Sequence, residues 1–372
     1  MENYKKLVGT EKILAKLVSF NTTNDLENKK IMFWVGKFLK NNGFQVKYFS
    51  EKNGKVNLCA EYKVSGKVDL YFSGHTDTVP AGENWKSNPY KLIKKGDELF
   101  GLGSCDMKSG IASFLSVLEK VDFKKLRKGL GVILTYDEEK EFFGIKSFIK
   151  NKKIEKAVVI IAEPTNLIPI AFTKGPVALR IEFLGKAAHG SCPEKGINAI
   201  LMATRFITDL ANNFRKEFSE YNKLFPNPLA TLNIGKIAGG DAINKVPSRC
   251  VLDLEIRTVE KEQVKKFISL VKKIIEKNKM KARMFAKLKL PPMINANKKF
   301  INLVEKITGK KTRAANYATE GSFFPRNNSI VILGPGPDNA HIANEFVSAK
   351  SLQKIQEIYS KLIKNICFKK IT

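Results

Sequence analysis

The chain has 372 residues, a hydrophobic fraction of 43%, and 65 Lys and Arg against 36 Asp and Glu, a formal charge of +29. That length exceeds one ordinary core and predicts two domains, while the composition is that of a globular protein with nothing that reads as a disordered tail. The opening MENYKKLVGTEKILAKL lacks the apolar core and small-residue site of a secretory signal, and apolar runs such as AVVIIA at 157–162 are far too short to span a bilayer.

Five scattered cysteines (Cys59, Cys105, Cys192, Cys250, Cys367) form no CxxC pair. They argue against a disulfide framework or a thiolate zinc site and for a reducing, cytoplasmic setting. The positive charge raises nucleic acid or a membrane surface as a partner. The basic residues are mostly Lys, however, spread over nearly every helix and turn, with no aromatic–arginine platform and no basic tail. No membrane partner is expected, nor nucleic-acid binding as the primary function. Steering of an anionic substrate stays compatible with the charge.

In chain order, residues 10–20 and 28–42 space their apolar side chains at helical intervals, and Gly43 supplies a stop signal. The short runs VNLCAEY, KVDLYFSG, GVILTYD and KAVVIIAEP follow, with helices between them. They predict strands of a mainly parallel, buried sheet. The pattern changes near Lys174-Gly175-Pro176. Beyond it, alternating strands (ALRIEFLG, ATLNIGKIAG, CVLDLEIRTV, MKARMFAKLKL) accompany amphipathic helices at about 197–217 and 260–277. After Pro291-Pro292 the α/β signals return: a helix at 298–308, the strand SIVILGPG and a last helix near 349–364. The expected fold class is α/β: a doubly wound, mainly parallel sheet domain over 1–175 and 289–372. Into it is inserted an α+β domain over 176–288, two helices on an antiparallel sheet.

The only histidines are His75, His189 and His341, each in a Gly- or Ser-rich, loop-like setting (SGHTD, AAHGS, DNAHIAN). In SGHTDTVP the pair His75 and Asp77 stands where a strand should end. It reads either as a polar strand end meeting water or as a ligand and its orienter. Asp106 opens a helix, Asp137, Glu138 and Glu139 end GVILTY, and Glu163 ends AVVIIA. In a doubly wound sheet such strand ends share one rim. Taken singly, these acids are ordinary caps and turn residues, and DEEKE also suits a helix N-terminus. Together they would repel strongly unless a divalent cation, or two, offset them. Histidine with carboxylates suits Zn²⁺, Co²⁺ or Mn²⁺ better than Ca²⁺ or Mg²⁺. Of two adjacent glutamates, one can ligate a metal while the other moves a proton.

GHTDTVP, GLGSCDMKSG, YDEEKEFFG, AEPT, GKAAHGSCPEKGINAI and the late His341 resemble the M20 metallopeptidase/deacylase family over almost the whole chain. The resemblance implies a two-metal amidohydrolase in which His75 and Glu163 hold one metal, Glu139 and His341 the other, and Asp106 bridges. It implies that Asp77 orients His75, that Glu138 is the general base and then acid, and that His189 reaches a partner subunit's active site as an oxyanion donor. A homodimer and domain closure follow, so the inserted domain serves as dimerisation and lid domain. Asn244 in GGDAINKVPSR and Arg257 in DLEIRTV match substrate-binding positions, the latter suited to an α-carboxylate. Within the family, NYATEGSFF and the Gly-Pro-Gly beginning at Gly334 resemble the acetylornithine deacetylases more than the succinyl-diaminopimelate desuccinylases. Glu320 then faces a cationic amine, and Gly334 joins the substrate-binding set. The expected substrate is a small N-acylated amino acid, N-acetyl-L-ornithine first, in arginine biosynthesis. The alternatives are the desuccinylase, an M20 dipeptidase or carboxypeptidase, or a non-catalytic basic binding module. The complete ligand set argues against the last.

Overall fold

The structure, a computed structural model, describes residues 7–23, 26–50 and 54–368. Helices α1 (Thr10–Val18) and α2 (Lys29–Asn41) lead into strands β1 (Gln45–Ser50), β2 (Val56–Tyr62) and β3 (Leu70–His75). Strands β4 (Ile93–Lys95) and β5 (Glu98–Phe100) precede helix α3 (Lys108–Leu118). Then come β6 (Leu130–Thr135), α4 (Phe143–Asn151), β7 (Val158–Ile161) and β8 (Ile170–Thr173). The next stretch holds β9 (Gly175–Leu184), α5 (Ala199–Glu217), β10 (Thr231–Gly239), β11 (Arg249–Thr258), α6 (Glu262–Lys277) and β12 (Ala282–Lys289). The chain closes with β13 (Met293–Ile294), α7 (Lys298–Thr308), β14 (Arg313–Ala315), β15 (Ser329–Ile332), β16 (Phe346–Ser348) and α8 (Ala349–Ile363).

Two compact units result. One comprises residues to Ala171 with Asn295–Arg313 and Phe323 onward; the other comprises Phe172–Ile294 with Ala314–Ser322. In the first, the sheet order is β1-β2-β6-β3-β7-β15-β8. The centre, β6-β3-β7-β15, is parallel. The margins, β1-β2-β6 and β15-β8, are antiparallel. The parallel order is therefore confined to the strands buried on both faces: LYFSGH, LGVILT and SIVI are buried throughout, as such strands require. β16, β5 and β4 make a separate small sheet.

Helix α3 is buried along its full length and packs against α1, α8 and β3. Its serines find partners inside, Ser113 Oγ donating to the Ser109 carbonyl at 2.7 Å and Ser116 Oγ to Gln356 Oε1 at 3.3 Å. Gly110 permits the close approach to the end of β7. A Cβ there would stand 2.1 Å from the Ala162 carbonyl oxygen.

In the second unit, the four-stranded sheet runs β10-β11-β9-β12, all antiparallel. Strands β9 and β11 alternate buried and half-buried residues, with Leu179, Ile181 and Phe183 packed among Phe206, Leu210, Phe267 and Leu270 of α5 and α6. Asn198 caps α5, accepting from the Ile200 and Leu201 N–H groups.

Away from that core, Arg180 meets Asp253 in a bidentate pair with both bonds at 2.7 Å, and Lys287 adds a contact at 3.4 Å. The Arg180 hydrogen bonds lower the Asp253 carboxyl to about 2. A depressed folded pKa gives stability that is present above the unfolded value of about 4 and is lost as pH falls through the folded one. Thermal melts between about pH 5 and pH 2 should therefore show a loss in the native protein that is smaller in Asp253→Asn. Parallel melting curves would show that this pair contributes nothing.

Candidate metal centre

Because β3 lies between β6 and β7 in parallel register (His75 opposite Thr135, Ser73 opposite Ile161), the three strands end on one rim. The residues at or just beyond their ends are His75, Glu138 with Glu139, and Glu163. Asp106 arrives from the loop entering α3, and His341 from the loop after β15.

His75 Nε2 lies 3.1 Å from Asp106 Oδ1 and 3.6 Å from Glu163 Oε1. His341 Nε2 lies 3.4 Å from Asp106 Oδ2 and 2.9 Å from Glu139 Oε2. Asp106 thus offers one oxygen to each histidine. The donor atoms of His75, Asp106 and Glu139 lie within 4.8 Å of one another, as do those of His75, Glu138 and Glu163. Glu138 therefore stands as close to the cluster as the other acids.

Asp77 meets two residues, His75 and Glu139. His75 Nδ1 is 3.0 Å from the Asp77 backbone carbonyl and 3.4 Å from Asp77 Oδ1. Asp77 Oδ2 also accepts from the Glu139 N–H at 3.2 Å, a link between strand ends that sequence spacing does not reveal. The glutamates occupy a turn, not a helix. α4 begins only at Phe143, and Asp137, at φ 63, accepts from the N–H groups of Glu141 and Phe143. The helix-dipole reading of DEEKE is thereby corrected.

Electrostatics express the crowding. Burial and the Glu163 charge push Glu138 well above the carboxylate range. Burial likewise raises Glu139, and it carries Glu163 up to about 8. Burial opposes a charged His75, but Glu163, Asp106 and Asp77 outweigh it and raise the ring well above its ordinary value. Hydrogen bonds to Asp106 and Glu139 carry His341 up to about 10. Asp106 stays ionised despite burial because both imidazoles face it. Protons here supply positive charge that divalent cations would supply equally well. Nitrogen and carboxylate oxygen donors suit zinc, cobalt or manganese.

Removing the Asp77 carboxylate should weaken cation binding about 10- to 100-fold, as loss of an outer hydrogen-bond partner does, without unfolding the protein. Metal titration and circular dichroism of Asp77→Ala check both halves. Unchanged affinity would return the residue to an ordinary strand end.

The remaining expected residues are placed as follows. Gly334 packs on the end of β7, where a Cβ would come 2.4 Å from the Glu163 carbonyl oxygen. In the second unit, His189 is exposed, with Nδ1 2.7 Å from Ser191 Oγ. Its loop meets that of Asn244, whose carbonyl accepts from the Gly190 N–H at 2.7 Å. Arg257 pairs with Glu255 on its own strand at 3.2 Å. Buried Lys174, its Nζ donating to the Leu229 carbonyl, feels the Arg257 charge, so the arginine has a second cation nearby. Glu320 is 1% exposed and groups with the second unit. Lys108 and Glu345, both buried beside Asp106, were not singled out from sequence. The signal available for Lys108 was a single charge at the start of the helix KSGIASFLSVL, which has no other charged residue. No helix among the described residues is long and apolar enough to cross a membrane.

Residues 71–365 match peptidase family M20/M25/M40. The chain is 31% identical to an acetylornithine deacetylase of Photorhabdus laumondii subsp. laumondii, covering 99% of this chain and 97% of that protein. It is 32% identical to an acetylornithine deacetylase of Proteus mirabilis, covering 99% and 96%. Among solved structures, an M20 family metallo-carboxypeptidase from Sulfolobus solfataricus superposes with a TM-score of 0.79 at 17% identity, covering 96% of this chain and 99% of that one. A tripeptidase from Staphylococcus aureus gives 0.76 at 22%, covering 96% and 98%. The solved structures share the fold, and the family match over residues 71–365, with a relative aligned over 99% of the chain, decides the class: the chain belongs to the M20/M25/M40 peptidase family and is a metallohydrolase.

Proposed function

We propose that the protein is a two-zinc amidohydrolase that removes the acyl group from an N-acyl amino acid, N-acetyl-L-ornithine first, giving acetate and ornithine for arginine biosynthesis. The observation that carries this reading is Asp106, with one oxygen toward His75 and the other toward His341. His75 with Glu163 and His341 with Glu139 then form two half-sites sharing one carboxylate. Two cations held there would supply Lewis acidity toward the scissile carbonyl and would lower the pKa of water. Glu138 takes the proton of the attacking water and delivers it to the amide nitrogen as the C–N bond breaks. Asp77 orients His75 and the Glu139 backbone. His189 donates to the oxyanion across a homodimer, with the 176–288 segment as dimerisation and lid domain. Arg257 binds the substrate α-carboxylate, Asn244 and Gly334 line the substrate, and Glu320 meets the ornithine amine.

The test is acetate release from N-acetyl-L-ornithine by zinc- or cobalt-loaded protein. A second reading, N-succinyl-L,L-diaminopimelate as substrate, draws on the net charge of +29, which suits an anionic acyl group. Turnover of the succinyl compound without turnover of acetylornithine would favour it. Turnover of dipeptides alone would favour a peptidase.

A further inference from the structure

Among the buried acids beside this site, Glu345 has no part in the proposed chemistry. It is 3% exposed, and its Oε1 accepts from the Gly103 N–H. The same carboxylate faces the backbone N–H of Asp106. The Glu345 carbonyl accepts from the Gly101 N–H at 3.3 Å and from Ser104 Oγ at 3.2 Å. One residue earlier, Asn344 uses both ends of its amide. Oδ1 accepts from the Lys86 N–H at 2.8 Å, and Nδ2 donates to the Asn84 carbonyl at 3.1 Å. Residues 344 and 345 therefore grip both the loop that delivers Asp106 and the loop at 84–86, just downstream of His341. The charged groups facing Glu345 are Asp106 and Lys108. Lys108 is 1% exposed, donates to the Phe20 carbonyl at 2.9 Å, and offsets the charges of Glu345 and Asp77.

We propose that Glu345 is a positioning residue of the metal centre: it ties the Asp106 loop to the segment bearing His341, and so sets the spacing of Asp106 Oδ2 and His341 Nε2, 3.4 Å here. The inference rests on the reading that these two groups share a cation. Zinc needs its donors at about 2.0–2.2 Å, so a spread of the two loops costs that half-site its grip. The other half-site, His75 and Glu163 at the ends of β3 and β7 with Asp106 at the mouth of buried α3, has its own anchors, so cutting the tie releases the His341 side. Glu345 therefore acts on one cation and spares the other, which a general loss of stability would not do.

The experiment is a titration of metal-stripped protein with Zn²⁺ by calorimetry, and with Co²⁺ by visible absorption. In Glu345→Ala, one Zn²⁺ should bind as in the native protein and the second about 10- to 100-fold more weakly. Glu345→Gln, which keeps one carbonyl acceptor for two N–H donors, should fall between. If the alanine variant does not fold, Glu345→Gln and Asn344→Ala carry the test, with the same selective weakening expected. Folded variants that bind two Zn²⁺ with native affinities, or that weaken both equally, overturn the proposal. Native protein that binds only one Zn²⁺ overturns the dinuclear reading and this inference with it. Because no substrate enters the titration, failure to hydrolyse acetylornithine would leave this result standing.

Discussion

Glu138→Gln should keep the full complement of bound cations while kcat falls about 100- to 10,000-fold, the usual contribution of a general acid–base group. Glutamine preserves the volume and one acceptor oxygen but cannot take a proton from water. The KM should change little, because the lost interaction belongs to the transition state. Metal content and steady-state kinetics on the same preparation are both needed, since the Glu138 donor atom lies within 4.8 Å of those of His75 and Glu163. A variant that loses metal in step with activity would make Glu138 a ligand. Unchanged kcat would remove it from the chemistry.

Asp106→Ala should do the reverse: activity lost because the cations are lost. Both of its oxygens are engaged, one at each imidazole, so a single truncation opens both half-sites. With several kcal/mol of transition-state stabilisation gone, the rate should drop at least about 1,000-fold. The same change should appear in stability. Zinc at 100 times its dissociation constant adds about 2.7 kcal/mol to a protein that binds it only when folded. That zinc-dependent rise in Tm should be present in the native protein and nearly absent in Asp106→Ala. A variant that keeps both the zinc-dependent rise and the rate would show that the bridge is not needed.

Much of this architecture is legible in sequence because buried parallel strands leave a plain mark. LYFSGH, LGVILT and VVII are short and mostly apolar; the first ends in His75, and Asp137 and Glu163 stand two residues beyond the other two. The change to alternating strands after Gly175 likewise announces an antiparallel sheet with one covered face. What stays hidden depends on tertiary register. Nothing in the spacing of Asp77 and Glu139 says that a carboxylate of one holds the backbone N–H of the other. Nor does HIANE say that its glutamate folds back onto Gly103. Residues 314–322 look like a continuation of the α/β domain, yet they group with the second unit, because contacts and not chain order decide membership. DEEKE looks like a helix start, but Asp137 takes the N–H groups of Glu141 and Phe143 and delays the helix to Phe143.

The burial of α3 along its whole length bears on how the centre moves. Amides in such an element exchange with solvent only when the whole unit opens, while exposed loops exchange through local fluctuation. Asp106 enters this helix directly, whereas the His341 side chain is 51% exposed. The shared carboxylate thus sits on the least yielding part of the unit, and one of its imidazole partners on a far freer one. Plasticity in the centre, whether for admitting a cation or adjusting to a substrate, should come from the His341 side.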